Sequence, residues 1–394
     1  MEKYKAVAEG TLKSVDLSAI EPTAPHYLYH YQDTDIRAEY EQGVPVPEIL
    51  SVNSVGVVTS RDRLAIHFTR QDLLRTVRNF IALDAEDARR AYSLGKDVQD
   101  WKVAWAQEDV RASGPSDNCA VPVLYRPFDI RWTYFTGKSS GFLVRPRPAT
   151  MRNMLPGDNI ALITSRLTKG ETFQHAQVTD HICEVICMSP KTSNNGFLFP
   201  LYLCSDNDKR SENLSLNFRS ILDARYEHHY TPEDILGYIY AVLHAPAYRT
   251  RYAEFLRIDF PRVPFPESAD DFEKLSKLGW ALVQAHLLRE LPRKGLAAYH
   301  GKGDHTVEAV RYSPGEKAVS INKSQSFKPV PQAVWDFHIG GYQVLDKYLK
   351  SRKGRVLSLD EINHVGAIAD SLAFTIEQMA KIDKAYQTAF AERG

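Results

Sequence analysis

The chain has 394 residues, 43% of them hydrophobic and 25% charged, with 49 basic and 49 acidic side chains and no formal net charge. That is enough for one large or two ordinary domains with a real core, in the composition of an average globular protein. No run of about 18 apolar residues spans a membrane, and the opening Met1 to Lys5 lacks the apolar stretch of a secretory signal, so a cytoplasmic protein is expected.

Residues 1–50 carry nine acidic and four basic side chains, interrupted by Pro22 and Pro25. Residues 1–44 therefore read as a linker or docking segment. Residues 64–68 read as a short strand. Residues 72–80 read as a helix with Leu73, Val77 and Phe80 on one face, and 82–112 as further surface helices. From about 119 to 204 short apolar runs recur (121–124, 131–135, 159–163, 182–186 and 198–203), separated by polar turns containing Gly and Pro. This pattern predicts a β-rich lobe with long loops. Cys183 and Cys187 lie four apart at the edge of zinc-ligand spacing, but no second Cys or His pair follows. They read as small hydrophobes in a buried strand.

Past residue 230 the pattern becomes helical. Thr231 precedes Pro232 with Asp234 at the third position, a start signal, and Ile235, Ile239 and Val242 supply the apolar face. Ser268 opens a second helix carrying Phe272, Leu275, Leu278 and Leu282, stopped by Pro292. Ser358 opens a third, with Ile362, Val365, Ala369, Leu372, Ile376 and Met379 in steps of three and four. Residues 307–312 and 317–321 flank the turn at Ser313–Glu316 and predict a hairpin. The expected fold is a mixed α+β one: a β-rich lobe over 45–225 and a mainly helical lobe over 226–394.

Catalytic signatures are missing. Gly137-Lys138-Ser139 resembles the end of a phosphate-binding loop, but Trp132 stands where that loop needs glycine. No zinc-protease, nucleophile-elbow or dinucleotide motif occurs. Neither the Gly-rich turn and polar-Pro-Pro-aromatic motif of a DNA amino-methyltransferase nor the carboxylate pair with Glu-x-Lys of a common nuclease is found. His228-His229 is an adjacent pair that need not converge on a metal. No catalytic residue and no metal ligand is assigned.

The charge is unevenly distributed. Residues 111–175 carry nine basic and four acidic side chains, and a second basic cluster comprises Lys347, Lys350, Arg352, Lys353 and Arg355. Three loops concentrate hydrogen-bonding groups: Arg145, Arg147 and Arg152; Ser165, Arg166 and Lys169; and Lys191, Thr192, Ser193, Asn194 and Asn195. Arg can grip guanine with two hydrogen bonds and Asn can grip adenine, while Ser, Thr and Lys suit phosphates. Ordinary solvated turns use the same residues, and the residues alone leave both readings open.

Six phrases, in order, resemble the C-terminal specificity region of type ISP restriction–modification enzymes. They are 52–62 (VNSVGVVTSRD), 124–132 (LYRPFDIRW), 197–202 (FLFPLY), 232–246 (PEDILGYIYAVLHAP), 248–264 (YRTRYAEFLRIDFPRVP) and 335–347 (WDFHIGGYQVLDK). The resemblance covers roughly residues 45–385. It implies sequence-specific recognition of double-stranded DNA by a region that presents the target adenine to a methyltransferase and licenses a motor and a nuclease. The methyltransferase region would be its partner, with the chain beginning just after it as an excised piece or a truncated gene product. S-adenosylmethionine, ATP and Mg would belong to the missing parts, and this chain would hold no cofactor. Two other readings stand beside this one: a DNA-modifying enzyme with an unrecognised active site, and a protein-interaction scaffold.

Overall fold

In the computed structural model, which describes residues 33–205 and 210–391, the first element is helix α1 (Thr34–Glu41), capped by the Asp33 carboxylate at the Asp35 and Ile36 amides. The remainder of the expected linker, residues 1–32, lies outside the described residues. Tyr40 of α1 stacks on Phe255 at 5.1 Å, and Val46, Ile49 and Leu50 are buried behind it, so residues 33–50 are docked onto the helices described below. The chain then forms β1 (Ser54–Val55). Where a strand is expected at 64–68 the structure has a helical turn, Asp62–Ala65. The Leu64 and Ala65 amides turn back onto the Arg61 carbonyl at 2.9 Å each, leaving only His67 to bridge Trp132.

Thr69 caps helix α2 (Arg70–Ala82), which buries Leu73, Leu74, Val77 and Phe80. Helix α3 (Val103–Ser113) also packs inward, burying Val103, Ala106 and Val110. Its Gln107 donates to the Phe80 carbonyl at 2.7 Å and the Leu83 carbonyl at 2.9 Å. The surface position expected for this stretch is thus corrected for α3. A buried amide that closes the end of a neighbouring helix is polar in sequence but internal in the fold.

Two sheets are built from β1, β2 (Ala120–Arg126), β3 (Asp129–Tyr134), β4 (Ala161–Ser165), β5 (Ala176–Thr179), β6 (Ile182–Cys183) and β7 (Gly196–Pro200), beside a small hairpin of Tyr202–Cys204 with Arg210–Glu212. One sheet has the order β1-β7-β4-β5, antiparallel throughout. The other has the order β3-β2-β6, with β2 and β6 parallel. Every residue of β4 is buried, because cores lie on both faces of its sheet. Ile163 and Leu198, directly opposite each other, face one core; Leu162 and Phe199, the next pair, face the other. A strand covered on both sides reads as a continuous apolar run rather than an alternating one.

The second core is helical: α4 (Leu216–Tyr226), α5 (Pro232–His244) and α6 (Ala269–His286). Thr231 and Asp234 close the expected capping box of α5, and Ser268 caps α6. The first core is completed by a four-stranded antiparallel sheet, β8 (Ala298–His300), β9 (Arg311–Ser313), β10 (Ala318–Ser320) and β11 (Ser326–Lys328), in the order β8-β11-β10-β9. The expected hairpin is its β9–β10 pair. Helix α7 (Val344–Lys350) follows, and then α8 (Leu359–Ala389), with the expected capping box at Ser358. At 31 residues α8 runs about 46 Å. Its Ile362, Val365, Ile368 and Leu372 enter the first core, and its Ile382, Ala385 and Tyr386 the second. The mixed α+β fold is as expected, and no helix among the described residues is long and apolar enough to cross a membrane.

Helices α5 and α6 touch backbone to backbone. A Cβ added at Gly279 would lie 1.9 Å from the Gly237 carbonyl oxygen and 2.8 Å from the Ala241 amide nitrogen. Gly279→Ala must therefore separate the two helices, and it should lose about 1–3 kcal/mol in a urea titration. Thr231→Ala, which removes only a cap, should cost about 1 kcal/mol. A Gly279→Ala loss no larger than the cap loss would show that the helix contact has slack.

Candidate nucleic-acid interface

Strands β4 and β7 are neighbours, with Ser165 opposite Gly196. The loop leaving β4 and the loop entering β7 therefore emerge at the same end of the sheet, which brings Arg166 and Lys169 together with residues 191–195. The two loops are bonded to each other. The Asn194 side-chain oxygen accepts from the Lys169 amide at 3.1 Å and the Ser193 hydroxyl at 2.9 Å. Its amide nitrogen donates to Glu171 Oε2 at 2.8 Å. Lys191 Nζ reaches the Gly170 carbonyl at 2.8 Å, and Ser165 Oγ the Asn194 carbonyl at 3.5 Å.

Glu171 lies beneath this pair, bonded to Ser189 Oγ at 2.9 Å and His175 Nε2 at 3.0 Å. Burial would raise its pKa, but hydrogen bonds from His175, Asn194 and Ser189 outweigh that and hold the carboxyl down at about 2. A tight hairpin, His338–Ile339 with Tyr342–Gln343, closes over the same place. Its Gly340 amide donates to the Gln174 carbonyl at 2.8 Å and its Gly341 amide to the Met188 carbonyl at 2.9 Å.

Burial sorts the loop residues. Ser165 and Asn194 are 0% exposed, so the expectation that they face a duplex is corrected: their polar atoms face inward and hold the loops. Arg166, Lys169, Lys191, Thr192 and Ser193 are exposed and Asn195 is half-buried. Arg166 Nε is paired with Asp259 Oδ1 at 2.9 Å. The Thr168 amide donates to the Arg257 carbonyl at 3.3 Å, which brings in an exposed cation that sequence reading missed. Arg257 lies in the phrase 248–264, whose other arginines at 249, 251 and 262 follow no regular spacing, so nothing local marks it.

The other two groups lie on different segments. Arg145 is exposed, with backbone bonds to Val58 and its guanidinium 3.2 Å from Asp100. Arg147 is half-buried with a left-handed φ of 55°, and Arg152 is exposed. The cluster after α7 divides in two. Lys350 is exposed beside Asp346 at 2.8 Å, and Lys353 is exposed. Arg352 is buried, bonded to Asp129 Oδ1 at 3.0 Å and Glu361 Oε1 at 2.9 Å, with its guanidinium 3.6 Å from the Tyr348 ring centroid. The expected phosphate contact at Arg352 is therefore corrected to a structural one. Arg355 is half-buried between Glu361, at 3.1 Å, and the Phe68 ring, at 3.5 Å. Asp129 is shared with Arg131 at 2.7 Å. Burial opposes its ionisation, but the charges of Arg352 and Arg131 keep its pKa below the ordinary value.

His229 pairs with Asp223 at 2.7 Å on the surface, and Cys183 and Cys187 are both buried. Among the described residues no three His, Cys, Asp or Glu side chains are grouped to hold a metal ion.

A family model described as the Type ISP C-terminal specificity domain matches residues 48–380. No curated protein matches the chain. Among solved structures it superimposes on the DrdV–DNA complex seen by cryo-electron microscopy, with a TM-score of 0.69 at 21% identity over 97% of this chain and 41% of that one. A nuclease-deletion mutant of the Type ISP restriction-modification enzyme LlaGI, in complex with a DNA substrate mimic, gives 0.65 at 17% identity over 95% and 36%. The ATP-dependent Type ISP restriction-modification enzyme LlaBIII, bound to DNA, gives 0.66 at 14% identity over 88% and 24%. At these identities the likeness is one of fold, and the chain spans less than half the length of each of these proteins.

Two measurements check the internal roles. Arg352→Ala leaves Asp129 buried with one partner fewer and should cost about 3–5 kcal/mol in a denaturant titration, whereas Lys353→Ala should stay within about 0.5 kcal/mol of wild type. For Glu171 the folded pKa lies below its ordinary 4.5. Its stabilisation is therefore fully present above that value and is lost as pH falls toward about 2. The stability gap between wild type and Glu171→Gln should accordingly narrow between pH 7 and pH 3.

Proposed function

Because the chain belongs to the Type ISP C-terminal specificity domain family, we propose that it reads a specific double-stranded DNA sequence for a restriction–modification enzyme whose catalysis resides in other polypeptide. The observation that carries this reading is the loop pair. Two polar loops leave the same end of a sheet buried on both faces, are bonded to each other, and carry the exposed Arg166, Lys169, Lys191, Thr192 and Ser193, with the exposed Arg257 on the neighbouring turn Phe255–Arg257. Groups held on a rigid scaffold lose little entropy when they meet a ligand. Arg166 is the base-reading candidate, since guanidinium matches the major-groove edge of guanine. Lys169, Lys191 and Arg257, with Lys350 and Lys353, suit phosphates, and Arg145, Arg147 and Arg152 extend the contact along the duplex. That the structures sharing this fold, those of LlaGI, LlaBIII and DrdV, are complexes with DNA or a DNA mimic supports DNA recognition as the function. In this reading the methyltransferase region of the parent enzyme is the partner. S-adenosylmethionine, ATP and Mg bind elsewhere in that enzyme, and the protein works in the cytoplasm.

Titration of the full chain against selected and random duplexes at two salt concentrations tests the proposal. Lys169→Ala and Lys353→Ala should weaken binding to all duplexes alike and flatten the log–log salt dependence by about one unit each. Arg166→Ala should instead lower discrimination between duplexes, by about 1–3 kcal/mol. Wild-type protein showing no salt-sensitive DNA retention would sink the reading.

A further inference from the structure

The Glu171 carboxylate is hard to reconcile with a DNA-reading surface if it is a contact residue. An anion close to phosphates opposes binding, and this one is largely sealed: its side chain is 13% exposed and His175 behind it is 0% exposed. Its bonds show another role. Oε1 accepts from Ser189 Oγ at 2.9 Å and lies 3.7 Å from Lys191 Nζ. Oε2 takes His175 Nε2 at 3.0 Å and Asn194 Nδ2 at 2.8 Å. The covering hairpin fits only without side chains: a Cβ at Gly341 would lie 2.4 Å from Glu171 Oε1 and 3.0 Å from Ser189 Oγ, and one at Gly340 would lie 1.8 Å from the Met188 carbonyl oxygen. One carboxylate therefore ties the loop after β4 to the loop before β7, and the 340–341 turn, held by its own bonds to the Gln174 and Met188 carbonyls, packs against it.

We propose that Glu171 is the positioning residue of the reading loops, a largely covered anion that fixes Ser189, Lys191 and Asn194 so that Arg166, Lys169, Thr192 and Ser193 meet the duplex in one arrangement. The inference rests on the DNA-reading function proposed above. Without the clamp the loops keep their cations but sample several arrangements. General attraction to DNA then survives while selection among sequences does not.

Glu171→Gln keeps the size and removes the charge. The full chain is used to select duplexes from a randomised pool, and both proteins are titrated with the selected duplex and the unselected pool. Affinity for the selected duplex should fall at least about tenfold, while affinity for the pool holds or rises because an anion has gone. Hydrogen exchange at the Lys169 and Asn194 amides should speed up while β4 and α5 stay protected. Equal losses on both DNAs mark a merely structural role and overturn the clamp, as does full selectivity in the variant. Should Glu171→Gln not fold, Ser189→Ala removes one bond to the same carboxylate and should lower selectivity in the same direction; full selectivity there also overturns the clamp. A wild-type chain that enriches no sequence and retains no DNA overturns the underlying reading instead, a result distinct from either of these.

Discussion

A sheet that is covered on both faces has only its ends left for solvent. In this protein β4 is buried from Ala161 to Ser165, one face against the β-rich core and the other against α5 and its neighbours. Side chains along the strand are committed to packing. Any polar chemistry must therefore sit where the chain leaves the sheet, and the Ser165–Gly196 pairing puts two exits side by side. Helix α8 reinforces this by entering both cores with successive turns, so that one continuous helix joins the two halves of the scaffold behind the loops. Rigid elements with functional loops at their ends are a general solution, here made necessary by burial on both faces.

Basic residues are divided between gluing and presenting, and the chemistry of the cation decides much of the division. Arg126 meets Glu184 at 2.7 Å, Arg219 meets Glu212 at 2.6 Å, and Arg352 bridges Asp129 and Glu361, all with side chains at most 8% exposed on the arginine side. Planar guanidinium tolerates burial because it can pair through several N–H groups and stack on a ring at once, as Arg352 does with Asp129, Glu361 and Tyr348, while Arg126 lies over Tyr125 with Nη1 alone on Glu184. Lysines 169, 191, 350 and 353 stay at the surface, where a strongly hydrated ammonium keeps its water. A neutral chain can in this way still present positive loops, because many of its acids lie against internal or lateral arginines.

This division explains what could be read in advance. Helix starts at Thr231, Ser268 and Ser358 were legible because capping is a local bond between a hydroxyl or carboxylate and an amide three residues away. Strands β2, β3, β4, β6 and β7 were legible as short apolar runs, whereas β1, β5, β8 and β11, two to four residues each, lie outside every run read in advance. Helix α4 was not, since Leu216 is 88% and Ile221 58% exposed, which blurs the apolar stripe that marks a helix. For the site, the loops themselves were visible as polar clusters between strands. Which side chain turns inward was not: Arg352 and Lys353 are adjacent, yet one is buried and the other exposed. Asn194 looks like a base reader in sequence and is held inside by Lys169 and Glu171. Those bonds join residues 23 and 25 apart, so no local pattern announces them.

The same non-locality bears on how recognition could change while the scaffold stays fixed. Thr192 and Ser193 lie outside the bonds that join the two loops through Asn194 and Glu171, apart from the Ser193 hydroxyl on Asn194. Substitution at such positions alters the groups offered to a ligand without removing a bond between segments. Substitution at Glu171, Asn194 or Gly341 does the reverse, leaving the offered groups intact and releasing what orients them. On the reading proposed above, specificity is set by two kinds of residue, and the inward-facing kind is found only by following hydrogen bonds from loop to loop.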